Sequence, residues 1–264
     1  MNREEVIRRA FDNGVKKIIN IGVDLATSKR SIEIAEGHEN IFAAVGFHPD
    51  FFNEQGTVNS EQQKLFSDLN DLARNKKVVA IGEAGLDYFS HTGEIITDAQ
   101  KENQKKGFLA QVELAQELNL PVIAHCREAW SDLYDIISKF KISASPAGGQ
   151  DSKLVLHCYS GEKKDTEKFL KLPNVFFSFS GNITYPKPTD RTEKLAEAVQ
   201  MVPLDRIMLD SDSPYLAPQA MRGKRNEPAN VRYIAEKIAE IKGISVAQTE
   251  KETDENAEKF FGIG

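Results

Sequence analysis

Cysteine is nearly absent. The two present, Cys126 and Cys158, belong to no CxxC pair, so the chain has no disulfide framework, and a reducing cytoplasm is its expected compartment. Long apolar runs are missing too. None approaches the roughly 18 residues of a membrane span, and residues 1–5 carry no apolar signal core. Positive charge is in deficit, with a formal net charge of −6. No overall field therefore attracts polyanions, and a nucleic-acid partner has to be held by a local basic rim or by bound metal. No GxGxxG or Walker-type loop occurs, which removes support for a nucleotide-binding open sheet.

What is present is one repeated pattern: a short apolar run, a few special residues, then a long amphipathic segment. The apolar runs are 17–22, 41–46, 78–82, 120–124, 154–156, 175–179 and 206–209. They are short and β-rich and lack strict polar alternation, as expected of strands buried on both faces. Between them lie predicted helices. Ser60-Glu61-Gln62-Gln63 reads as a capping box opening a helix to about Arg74, and 98–118 has helical apolar spacing at Phe108, Leu109, Val112, Leu114, Ala115 and Leu118.

Alternating strands and helices predict a parallel sheet with right-handed crossovers, either open and doubly wound or closed into a barrel. Seven units are counted, preceded by a helix over 4–13 that stops at Gly14. Eight units close a barrel, so the expectation is an α/β, TIM-type (β/α) barrel lacking its first β-strand, forming one domain over residues 1–264. Residues 141–152 (KISASPAGGQDS) read as a surface loop, and 84–97 as a rim or lid loop.

Polar residues follow the predicted strands: His48, Glu83, His125, His157 and Asp212. In a parallel barrel these ends converge on one rim, where active sites are built. A lone histidine there is ordinarily a hydrogen-bonded core or loop residue. Glu83, between Gly82 and Ala84, is costly to bury without a cationic partner, and nearby imidazoles make metal the better partner. Imidazole plus carboxylate suits zinc or manganese and tolerates magnesium. Cys126 and Cys158 each follow a histidine, so in a strand they face the other way and are expected to pack against helices.

Six strings then become specific: AAVGFHPD (43–50), VVAIGEAGLDYF (78–89), LPVIAHCREAWSDL (120–133), LVLHCYSG (154–161), IMLDSDSPYLAP (207–218) and RNEPANV (225–231). In this order they resemble the signature blocks of the TatD family of metal-dependent deoxyribonucleases, within the amidohydrolase-like barrels. The resemblance implies Glu83, His125, His157 and Asp212 as metal ligands, for one or two Mg, Mn or Zn ions per chain. It gives Glu83 and Asp212 catalytic roles, with Asp212 taking a proton from the attacking water. It places His48, Arg127, Arg225 and Asn226 near substrate; for Arg225 and Asn226 a loop anchor ahead of the helix near Pro228 is the competing reading.

The implied activity is hydrolysis of phosphodiester bonds in DNA from a strand end; the sequence itself marks no large apolar interface patch and no spanning run, so a monomer away from membranes is the default expectation. Two alternatives stand beside it: a deacylase acting on aminoacyl-tRNA or another ester, and a binding scaffold with impaired catalysis. One departure matters. Many family members carry a His-x-His pair on the first strand, whereas no histidine here precedes His38. The first metal position is thus expected to be incomplete as written, either because about 20 residues lie upstream or because this is a short form.

Overall fold

The computed structural model describes residues 2–53, 60–90, 93, 95–139, 153–186 and 190–264, leaving out the side chains of 60–62, 190 and 191. Seven strands lie among the described residues: β1 (Ile18–Ile21), β2 (Ile41–Val45), β3 (Val78–Asp87), β4 (Val122–Arg127), β5 (Leu154–Leu156), β6 (Val175–Phe179) and β7 (Ile207–Leu209). Their order in the sheet is their order in the chain, and the β2–β3, β3–β4, β4–β5 and β6–β7 pairs are parallel. Nine helices are described: α1 (Arg3–Asp12), α2 (Leu25–Glu36), α3 (Ser60–Ala73), α4 (Asp98–Leu118), α5 (Trp130–Lys139), α6 (Lys163–Phe169), α7 (Asp190–Met201), α8 (Val231–Lys242) and α9 (Val246–Phe261). This is the parallel strand–helix succession of a (β/α) barrel, with α1 standing ahead of β1 as expected.

The helices begin and end where local chemistry satisfies their terminal backbone groups. Asp24 and Thr27 form a capping box at α2, as do Thr97 and Gln100 at α4. Asn119, Gly243 and Gly262, all at positive φ, close α4, α8 and α9. Helix α3 begins at Ser60 as predicted, although the side chains of its proposed capping box lie partly outside the described residues. The predicted loop 141–152 lies outside them entirely.

The chain divides into two compact units. One spans Ile19–Leu156 and Leu172–Asn174 and holds β2 to β5. Its core combines Ile41, Ala44, Leu69, Ile81, Leu86, Phe108, Leu133 and Ile137, each under 2 % exposed. The other comprises Met1–Ile18, His157–Lys171 and Val175–Gly264, with β6, β7 and helices α6 to α9. Its core is aromatic around Tyr159, whose ring meets Phe177 edge-on at 5.0 Å.

Two strands extend further than the sequence suggested. β3 continues past Gly82 to Asp87, so the first four residues of the expected rim loop 84–97 are strand. Gly85 interrupts the apolar run, yet a Cβ there would lie 1.9 Å from the His125 carbonyl oxygen. The glycine is what lets β4 approach, and pairing with β4 makes the segment a strand. Of the rest of that loop, residues 91, 92 and 94 are outside the described set. β4 likewise runs to Arg127, which places His125 and Cys126 inside the strand.

Candidate metal centre

The pleat of β3 decides which of its side chains reach the rim. Every residue of this ten-residue strand is buried except the half-buried Glu83. Parallel pairing sets Gly85 beside His125 and Asp87 beside Arg127. His125 is thereby bracketed by two carboxylates. Its Nδ1 lies 2.7 Å from Glu83 Oε1 and its Nε2 lies 3.0 Å from Asp87 Oδ2. His48 joins from the segment after β2, with its ring 4.6 Å from that of His125 and its Nε2 3.9 Å from Glu83 Oε1. Donor atoms of His48, Asp87 and His125 all fall within 4.8 Å of one another.

These donors fit a divalent cation. Two imidazoles and two carboxylates are gathered in a largely buried setting, where the negative charge is costly unless a cation offsets it. Asp87 was not among the residues singled out from sequence, although it stands within the quoted 78–89 string.

Helix α4 secures this arrangement with two buried glutamines seven residues apart on one face. Gln104 Oε1 accepts from Asp87 N at 2.8 Å, and its Nε2 donates to Asp87 O at 2.8 Å. Gln111 treats Phe47 the same way, accepting from its N at 2.7 Å and donating to its O at 3.0 Å. One helix face thus fixes the backbone beside His48 and at Asp87. The signal was present as polar residues on an otherwise apolar helical stripe.

Beyond the cluster, Tyr88 N donates to Arg127 O at 2.9 Å, and the Arg127 guanidinium carbon sits 3.4 Å from the Phe89 ring centroid. Asp87 Oδ1 also accepts from Phe89 N at 2.9 Å.

The second unit carries a different acid–imidazole set. His157, 8 % exposed, is hydrogen-bonded through Nδ1 to Asp210, while its Nε2 lies 3.7 Å from Asp212 Oδ1. Asp210 also accepts from Ser178 Oγ at 3.1 Å and from Asp212 N at 2.8 Å. Burial pushes the Asp210 carboxyl upward, but the charge of His157 and these hydrogen bonds outweigh it and hold the pKa below the ordinary range. Asp210, like Asp87, was not anticipated from sequence. It fixes the ring of His157 from behind, as the outer carboxylate does for metal-binding histidines.

Asn226, 2 % exposed, spends its side chain on the loop bearing Asp212. Its Nδ2 donates to Ser211 O at 2.6 Å and Tyr215 O at 2.7 Å, and its Oδ1 accepts from Glu227 N and Asn230 Nδ2, both at 2.9 Å. Arg225 is exposed. Glu227 receives a forked pair of bonds from Arg9 of α1, at 2.8 and 2.9 Å, which ties the 225–231 string to the amino-terminal helix.

Cys126 is buried in β4 as expected, whereas Cys158 follows β5 in a turn at φ 45° and is half-buried. The strand alternation invoked for Cys158 therefore does not apply to it.

The family model described as TatD related DNase matches residues 1–262. An uncharacterized metal-dependent hydrolase, YabD, of Bacillus subtilis is 36% identical over 98% of this chain and 92% of its own. A 3'-5' ssDNA/RNA exonuclease, TatD, of Erwinia amylovora is 31% identical over 99% of this chain and 94% of its own. Among solved structures, that of YJJV, a TatD homolog from Escherichia coli, superposes with a TM-score of 0.83 at 25% identity, covering 99% of this chain and 92% of that one.

Proposed function

Because this chain belongs to the TatD related DNase family, we propose that it is a metal-dependent hydrolase that cuts phosphodiester bonds of DNA from a strand end, its 264 residues serving as one catalytic domain. The observation that carries this reading is the bracketing of His125 by Glu83 and Asp87, with Arg127 at the end of the same strand. The name of the Erwinia amylovora relative supports single-stranded nucleic acid as the substrate class.

In this reading Glu83, His125, His157 and Asp212 would hold Mg, Mn or Zn, as the family resemblance implies. A bound divalent ion lowers the pKa of water and neutralises charge on the phosphoryl oxygens. The protein's own groups do the rest. Asp210 sets the ring orientation of His157, and the Asp212 carboxylate takes the proton of the attacking water. Arg127 offers a planar fork to phosphate oxygens, with His48 alongside. The charge of Arg127 and of the bound metal is needed on a chain whose net charge is −6.

The test is purified protein assayed on DNA, RNA and aminoacyl-tRNA with each metal in turn, beside Glu83→Ala and His157→Ala. We expect metal-dependent release of nucleotides from DNA that both variants lose. Undiminished cleavage by the variants, or turnover of the ester alone, overturns the proposal.

A further inference from the structure

We infer that the hollow beside Phe89 is a stacking subsite for the nucleobase attached to the phosphate being cut, an inference that rests on the nuclease reading above. The cavity is about 440 Å³, within the span of roughly 300–1,000 Å³ usual for ligand pockets, and Tyr88, Phe89, Ser90, Ile95, Ile96 and Lys101 line it.

Its position follows from the chain. Asp87 belongs to the candidate metal cluster, and the next two residues, Tyr88 and Phe89, form the pocket wall. The hydrogen bond from Phe89 N to Asp87 Oδ1 fixes the distance between the two. Arg127 covers the Phe89 ring at 3.4 Å and shares a backbone hydrogen bond with Tyr88. A phosphate held by Arg127 therefore has its attached base within reach of this wall.

The lining suits a base better than a second phosphate. Two aromatic and two isoleucine side chains supply apolar area, and Ile95 is 89 % exposed. Lys101, 5.4 Å from the Tyr88 ring centroid, is the basic lining residue, and the acidic Glu128 offsets its charge. Such a wall attracts a flat neutral ring, and stacking of this kind does not discriminate strongly among bases. Ser90 also lines the hollow, and its Oγ has no hydrogen-bond partner among the described residues.

The experiment compares calorimetric binding of a deoxynucleoside 5′-monophosphate with that of deoxyribose 5-phosphate to the whole protein. Wild type is expected to bind the nucleotide about tenfold more tightly, the low end of what base stacking contributes. Ile95→Ser, an uncharged change at an exposed position, should cut that ratio to about twofold without changing affinity for the sugar phosphate. Phe89→Leu should cut it similarly. Equal affinity for the two ligands in wild type, or a ratio unmoved in both variants, overturns the subsite. Cleavage of a single strand with an intact or an abasic terminal nucleotide is measured in parallel. Equal cleavage of the two overturns the subsite and leaves the nuclease reading standing. A tenfold binding ratio without cleavage of either strand keeps the base site and overturns the nuclease reading.

Discussion

Asp87 Oδ2 lies 3.0 Å from His125 Nε2, and Asp87 is only 2 % exposed. A carboxylate this deep, joined to an imidazole whose other nitrogen meets Glu83, adjusts both the charge and the orientation of the cluster. Asp87→Asn preserves shape and removes the charge. We expect metal affinity and hydrolysis to fall about 10- to 100-fold, with the circular dichroism spectrum unchanged. Metal content after dialysis, read beside kcat/KM, checks this; full metal retention and full activity would make Asp87 a purely structural residue.

Asn226 lies on the rim in sequence but is turned inward, with its side chain spent on backbone around Asp212 and on Asn230. Asn226→Ala removes its part-buried bonds to the carbonyls of Ser211 and Tyr215, a cost of about 0.5–1.5 kcal/mol for each bond lost. The expected result is a lower midpoint in urea unfolding together with a fall in kcat larger than any change in KM. A change confined to KM would instead assign Asn226 to substrate contact.

A pH signature should come from the Asp132 carboxylate on α5, which accepts from Tyr88 Oη at 2.8 Å and pairs with Lys105 at 2.8 Å. Burial raises the Asp132 pKa, but the bonds from Lys105 and Tyr88 more than offset it and hold it low. The hydrogen bond to Asp132, joined by one to Glu102, raises that of Lys105. A depressed carboxylate contributes stability above its ordinary pKa of about 3.9 and loses it as pH falls through the folded value. A raised lysine contributes below about 10.4 and loses its share as pH rises through the folded value. The stability difference between wild type and Asp132→Ala should therefore be widest between about pH 5 and 9 and shrink toward both extremes. Denaturant titrations across that range check it, and a difference independent of pH would refute the pairing.

Much of this protein was legible from one dimension. The bounds of α4 at 98–118 and of β5 and β6 match those read from apolar spacing, because a helix with one buried stripe and a strand buried on both faces each impose a period on the sequence. His48, Glu83, His125 and His157 stood out as polar interruptions at strand ends, and the six ordered strings led to the family now matched over residues 1–262. Tertiary structure alone decided the partners. β3 reaches Asp87 because β4 supplies the hydrogen bonds past two glycines that break its pattern. Asp87 and Asp210 became the carboxylates that hold the histidines, and Gln104, Gln111 and Asn226 the residues that fix the backbone around them. Sequence specifies which groups are costly to bury; which group satisfies each one depends on the register and contacts between segments far apart in the chain.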